Sequence, residues 1–410
     1  MIFRLILAAA LFFPVAGALL LELGMWGQGI NQYGYPNGAT LAMLAFTAMF
    51  LGTVSILEKV GVFASLGATS FKFPVDPDRT SIRCAVALLP MATYVLFGLG
   101  GFHTIVNGTG AGEFRTGLGS GGSIGYLILK FYAPALFSTA VLSMAAAGRV
   151  SIYGFIGLIC LALISVSFGY KSAIVMALLP TIVLLFWRAR LRTAIFLLAV
   201  ALSILVVTYW FMKPDDQAKI PLLGAIAYRA FVLNAEGAWK IWDVYSSGGD
   251  LPSYVNTLPA ILGDRLLAAL TGITRSDPDA WVMSHFSLMA THLAGYTPTY
   301  LLATGHNNSA GAMAEGIVAG GVPGMLLFAV IAGALANALY HFIENRLKAQ
   351  DFAAASIAAC YFVYCLISWL IGGGVVEIIH LSVLVGLASG FLLLRWAAGW
   401  KPVPRLQEAT

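Results

Sequence analysis

Apolar residues run in ten blocks along the 410-residue chain, and most are long enough to span a bilayer, which takes roughly 20 apolar residues per helix. The blocks are Ile6–Met25, Thr40–Ile56, Cys84–Ile105, Ile124–Ala147, Val150–Phe168, Ser172–Trp187, Thr193–Met212, Gly324–Phe342, Phe352–Ile371 and Ile378–Leu394. The sixth is short, yet only Gly169, Tyr170 and Lys171 separate it from the fifth, so the pair reads as a tight helical hairpin. The pattern predicts an all-α polytopic integral membrane protein of about ten transmembrane helices. Residues 1–212 form a bundle of about seven helices, 213–306 one large, largely helical loop, and 307–410 about three helices with a tail.

Composition narrows the reading. Only 10% of residues are charged, against about 25% in soluble domains, and 60% are hydrophobic, which excludes a soluble domain. With 12% aromatics the chain has ample surface to bury, so disorder is excluded too. A net charge of +5 on so apolar a chain gives no footprint for nucleic acid; the implied partner is membrane lipid. With the N-terminus inside, 14 of the 23 Lys and Arg residues, from Arg4 and Lys59 to Arg395 and Arg405, fall in cytoplasmic loops or tails. That orientation places both termini in the cytoplasm and residues 213–306 on the outer side. The first block also has a signal-peptide outline, and its removal would leave the second block still entering from outside.

Known cofactor motifs are missing from the pattern. Gly117, Gly119 and Gly122 match a dinucleotide fingerprint by letter but follow no strand, and Gly169-Tyr170-Lys171-Ser172 is not a Walker sequence. Cys84, Cys160, Cys360 and Cys365 lie in or beside apolar helices, with no zinc spacing and no expected disulfide. No metal or other cofactor is expected.

The outer side holds the ionisable residues that the lipid excludes. Arg115 lies in a glycine-rich loop beside Glu113, Lys130 a turn or two inside the next helix, and Lys171 at the hairpin tip. A cation inside a span is costly and usually faces a cavity or partner, although Lys130 is also placed to snorkel to the interface and Lys171 to cap a turn. In the large loop Arg229 and Leu233, four apart, open an expected amphipathic helix that runs past Glu236. Asp277-Pro278 reads as a helix start, with His285 and His292 sharing a face of that helix as packing partners. Trp239, Trp242, Tyr254, Trp281, Tyr296 and Tyr300 suit either sugar stacking or the membrane interface.

The most specific pattern stands where the chain re-enters the membrane: Gly305-His306-Asn307-Asn308-Ser309, then Glu315-Gly316, Gly320-Gly321 and Pro323-Gly324. His306-Asn307, with Glu315 nine residues and Gly320 fourteen residues after the His, resembles the pattern that ends the large periplasmic loop in the O-antigen ligase and polymerase superfamily. Arg229 with Leu233 resembles the Arg-x-x-x-Leu element of the ligases. Gly169-Tyr170-Lys171-Ser172 resembles the family's Gly-x-Arg-Ser turn with Lys in place of Arg. Gly316 follows the Glu directly where the family's Gly is two residues on, and ten spans is fewer than the usual twelve of the ligases; both differences favour the Wzy-type polymerase.

The resemblance implies an inverting, metal-independent glycosyltransferase of the GT-C class in the bacterial inner membrane, with its site facing the periplasm. It would move a growing O-antigen or exopolysaccharide chain from polyprenyl diphosphate onto the next lipid-linked repeat, with a chain-length regulator as a further partner. Arg115, Lys171 and Arg229 are the candidates to stabilise the departing diphosphate, Lys130 lines the same face, and His306 is the candidate base. Asn307 either contacts substrate or caps the following helix, and Glu315 either orients His306 or is satisfied by a neighbour. A ligase acting on lipid A core is the alternative, and a transporter or flippase a second.

Overall fold

The computed structural model describes residues 2–25, 35–69, 71–72, 76–107, 118, 122–168, 173–188, 203, 224, 228–304, 310–399 and 403–404. Among them the structure is helical apart from an antiparallel pair of two-residue segments, β1 (Phe71–Lys72) and β2 (Val403–Pro404). The helices in chain order are α1 (Ile2–Glu22), α2 (Ala39–Val60), α3 (Pro77–Thr93, prolonged by a π turn at Tyr94–Gly98), α4 (Gly101–Asn107) and α5 (Gly122–Ala147). Next come α6 (Ile152–Ser167), α7 (Ala173–Leu185), α8 (Glu236–Ser246), α9 (Asp264–Thr271), α10 (Pro278–Met283), α11 (Phe286–Leu293) and α12 (Pro298–Thr304). The chain ends with α13 (Gly311–Lys348), α14 (Phe352–Gly372), α15 (Val376–Ile379) and α16 (Leu381–Ala398).

Seven of these, namely α1, α2, α3 with its π turn, α5, α13, α14 and α16, are long and apolar enough to cross a membrane. In lipid a backbone must bond within its own segment, so such apolar runs have little alternative to the helix. Nine of the ten predicted blocks are therefore helical here: seven at spanning length, and α6 and α7 as shorter apolar helices. The remaining one, the seventh, Thr193–Met212, lies outside the described residues apart from Ser203. Two blocks shift by more than a few residues. The third block starts earlier, where Asp76 caps the backbone N–H of Arg79 ahead of Pro77, and it ends at Gly98, because Gly100 at φ 78° turns the chain into the separate α4. The eighth begins at Gly311 instead of Gly324.

Long-range contacts sort the helix ends into two sets. At one end Arg4 pairs with Glu58 at 2.6 Å, Arg83 donates to the Trp396 carbonyl, and Asn345 donates to the carbonyls of Ala64 and Leu66. Asp351 there joins Arg346 and Arg395. This basic end gathers residues that the charge rule assigns to one compartment. The opposite end carries the end of α1, the start of α2, and the turns at 98–101 and 372–380. α14 runs through the middle and is the most enclosed of the seven membrane-length helices.

Candidate functional site

Glu315 is the best-anchored polar side chain at the loop end. It is 1% exposed, and its two oxygens accept four hydrogen bonds. Oε1 receives the Tyr254 hydroxyl at 2.9 Å and the Val375 backbone N–H at 2.7 Å; Oε2 receives the Trp369 indole at 2.7 Å and the Gly374 N–H at 2.9 Å. Buried polar groups need such partners, and here they come from the large loop, from the end of α14 and from the glycine turn after it. Glu315 is therefore satisfied by its neighbours and ties three remote segments together. Gly373 (φ 72°) and Gly311 (φ 75°) allow the close approach: a β-carbon on Gly373 would meet the Phe286 ring and the Gly311 carbonyl, and one on Gly311 the Leu370 carbonyl. The Ala310 N–H also donates to the Gly372 carbonyl. The chain from Ala310 onward is thus fixed to the turn after α14.

α13 is two helices. Gly320 and Gly321 have non-helical backbone angles, and Pro323 follows. In a straight helix Gly316 and Gly324 would stand about 12 Å apart along the axis. Instead a β-carbon on Gly316 would lie 2.6 Å from the Met325 Cα, and one on Gly324 would overlap the Gly316 carbonyl oxygen. The half-helix 311–319 is folded back on 322–348 through this glycine pair, with the Tyr245 ring against Gly321.

α1 runs beside described residues that neighbour both conspicuous sequence motifs. A β-carbon on Gly17 would overlap the Phe231 carbonyl and lie 2.8 Å from the Ala235 Cβ, so the turn holding Arg229 is seated directly on α1. One helical turn away, Pro14 lines a small cavity together with Ala238, Ala310, Gly311, Met313 and Leu370. Phe231, two residues after Arg229, thus packs on α1 at Gly17, and Ala310 lines a cavity with Pro14 one turn away on the same helix. Residues 228–232 form a π turn and α8 starts only at Glu236, so the expected continuous helix from Tyr228 is broken at 233–235. Lys130 also lies in a π turn, Ile128–Tyr132, half-buried within α5. Inserted π turns of this kind frequently mark functional positions.

A second polar cluster clamps the segment before α2 onto α8. Asp243 accepts from the Tyr35 hydroxyl at 2.6 Å, from Asn37 at 3.4 Å and from Lys240 at 3.0 Å, while the Trp242 indole donates to the Asn37 carbonyl. Burial pushes the Asp243 carboxyl up, but the bonds from Tyr35, Lys240 and Asn37 outweigh it and hold the group below the usual carboxylate range. The Tyr35 hydroxyl is pushed up to about 12, chiefly by its bond to Asp243. A carboxylate with a lowered value in the folded state stabilises above its unfolded value, near 3.9, and loses that contribution as pH falls through the folded one. Tyr35 contributes below its unfolded value, near 10, and loses it as pH rises further. The clamp is expected to hold between these limits. Thermal melts of wild type and Asp243→Asn should differ most at neutral pH and converge below about pH 4; a constant difference down to pH 2 would contradict this.

The other predicted residues divide by position. Arg115, Lys171, His306 and Asn307 lie outside the described residues, as does the side chain of Arg229. The helices flanking the Arg115 and Lys171 segments do converge, since a β-carbon on Gly125 would touch Leu99 and Phe168, and one on Gly101 would touch Ser167. Asp277 caps α10 at Ala280 with Pro278 at the first position, as its sequence predicts. His285 and His292 do not share a helix face. The helix stops at Met283, and His285 occupies the cap position of α11 with Nδ1 3.0 Å from the Trp281 carbonyl, whereas His292 Nδ1 meets the Tyr296 carbonyl. Among the described residues no group of three or more His, Cys, Asp or Glu side chains is placed to hold a metal ion. Sequence reading passed over Trp369, Gly374, Val375 and Asp243; the three glycines at 372–374 were the visible signal for the first three. A scan against protein-family models finds no match, and neither a search of curated proteins nor one of solved structures finds any.

Proposed function

We propose that this chain is a polyprenyl-diphosphate-dependent glycosyltransferase, a polysaccharide polymerase of the Wzy type, working at the periplasmic face of the bacterial inner membrane. The observation that supports it best is that the turn holding Arg229 packs on Gly17 of α1 while Ala310, where the chain resumes, lines a cavity with Pro14 one turn away on the same helix, although Arg229 and His306 are far apart in sequence. In this reading the acceptor hydroxyl attacks the anomeric carbon of the donor, the bond to the diphosphate oxygen breaks with inversion, and the hydroxyl proton passes to His306. Arg229, Arg115 and Lys171 meet the charge that develops on the diphosphate, with Lys130 on the same face and Asn307 orienting substrate. Glu315 acts as a positioning residue, since its four donors already occupy its oxygens.

The test is elongation of a purified lipid-linked repeat by wild type, Arg229→Ala, His306→Ala and Gly17→Ala. Loss of a general base removes about 10²–10⁴ in rate, so His306→Ala is expected to fall in that range, with Arg229→Ala comparably impaired. Gly17→Ala, which touches no substrate, should impair elongation by displacing the Arg229 turn. Elongation by His306→Ala and Arg229→Ala at wild-type rates with normal folding refutes the assignment. Product appearing only on lipid A core identifies a ligase instead.

A further inference from the structure

Within residues 254–271, outside the membrane-length helices, five large apolar side chains face outward: Val255, Leu258, Leu262, Leu266 and Leu270. Leu266 and Leu270, four apart, share one side of α9, and Val255 and Leu258, three apart, share one side of the 3₁₀ segment Tyr254–Leu262, which ends at Leu262 before the turn at Gly263. The other side packs inward through Thr257, Ala260 and Leu267. Val255 and Leu270, at the two ends of the stripe, are each 67% exposed. Contiguous apolar patches of this kind are uncommon on surfaces that meet only water.

What covers the stripe follows from its neighbours. The Tyr254 ring lies 6.2 Å from that of Phe328, inside the spanning part of α13. Gly263, between the two halves of the stripe, sits against the ring of His380, the residue that caps α16. The stripe thus borders two membrane-length helices whose own outward residues are apolar: Leu327, Val330 and Ile331 on α13, and Leu381, Leu384 and Val385 on α16. Those side chains face the acyl region wherever the two helices cross a bilayer, and the stripe continues the same surface around the loop end of the bundle.

We propose that residues 254–271 lie in the plane of the membrane, with the Val255–Leu270 stripe seated at the boundary between headgroups and acyl chains. An amphipathic helix of this type buries its apolar face about 5–10 Å into that boundary. The segment is joined to Glu315 through Tyr254, so the lipid surface helps to hold the Glu315 network in place. This placement is independent of the reaction that the protein performs.

The native cysteines permit a direct test, because Cys84, Cys160, Cys360 and Cys365 are all buried. Single Leu266→Cys, Leu270→Cys and Asp250→Cys variants of the full chain, labelled with an environment-sensitive fluorophore and reconstituted in phosphatidylcholine–phosphatidylglycerol vesicles, are quenched in turn by spin-labelled lipid and by aqueous iodide. The expected result is several-fold stronger quenching by the lipid probe than by iodide at 266 and 270, and the reverse at 250. Equal access of iodide to all three positions overturns the placement. So does a disulfide-linked dimer through position 270 at high lipid-to-protein ratio, which would assign the stripe to a second copy of the chain. Elongation activity enters neither readout, so the outcome stands whatever happens to the proposed reaction.

Discussion

Glu315→Ala is expected to be the most damaging single substitution at the loop end. It removes the acceptor of four hydrogen bonds and leaves the Tyr254 hydroxyl, the Trp369 indole and the N–H groups of Gly374 and Val375 facing a cavity. Each buried donor left without a partner costs about 1–3 kcal/mol; relaxation shares the loss among them, and a total of about 4 kcal/mol or more places this variant in the exceptional class of point mutations. Glu315→Gln separates shape from chemistry. Its amide keeps one acceptor oxygen, but its NH₂ must face one of the two donor pairs. Turned toward Tyr254 it finds a hydroxyl able to accept, beside a Val375 N–H that cannot; turned toward Trp369 it meets two donors, neither of which can accept. The expected order of stability is wild type, then Gln, then Ala. Thermal unfolding in detergent measures it, and proteolysis within residues 247–263 should accelerate in the same order. An alanine variant as stable and as protease-resistant as wild type would show that the carboxylate does not tie these segments together.

The second large effect belongs to the basic end. Asp351 is 1% exposed, pairs with Arg395 at 2.5 Å and Arg346 at 3.2 Å, and caps α14 by accepting the Ala354 N–H. The two guanidiniums are themselves largely enclosed, at 11% and 22% exposed. Removing one partner of a buried ion pair costs about 3–5 kcal/mol, because the remaining charge has lost its compensation. Asp351→Ala leaves two such charges side by side and uncaps a helix as well, so a loss at the upper part of that range is expected. Asp351→Asn retains the cap and one hydrogen bond and should recover about 1 kcal/mol of it. Surface pairs such as Arg4–Glu58 are worth at most about 1 kcal/mol, so Arg4→Ala is the internal control. Equal melting shifts for Asp351→Ala and Arg4→Ala would contradict the buried network.

How far the sequence foretold these features depends on how local each is. Spans are local: apolar runs and helix starts such as Asp277-Pro278 are written in consecutive residues, and they reappear in the structure with shifted ends. Glycines 320 and 321 and Pro323 were conspicuous, but their consequence, a half-helix folded back onto Gly324, depends on the small size of Gly316 and was not readable from spacing. The partners of Glu315 lie 54 to 61 residues away, and two of them are backbone N–H groups, which no residue type advertises. Asp351 drew no attention in the sequence, because the two arginines that claim it come together only when α13 and α16 end at the same level. The continuous helix expected from Tyr228 failed for a related reason. Phe231 is seated on Gly17 of α1, and that distant contact is met by a π turn ending before α8 begins.

The Glu315 network also sets an order of events during synthesis. The carboxylate enters the growing chain some 60 residues before Gly374 and Val375, and neither α14 nor the turn after it exists when α13 first meets the membrane. Until that hairpin arrives, the half-helix 311–319 has no complete set of partners and the restart of the chain after Ser309 has no fixed anchor. The loop end is therefore among the last regions to settle. A chain stopped before residue 374 would retain six of the seven membrane-length helices found among the described residues yet could not assemble this network.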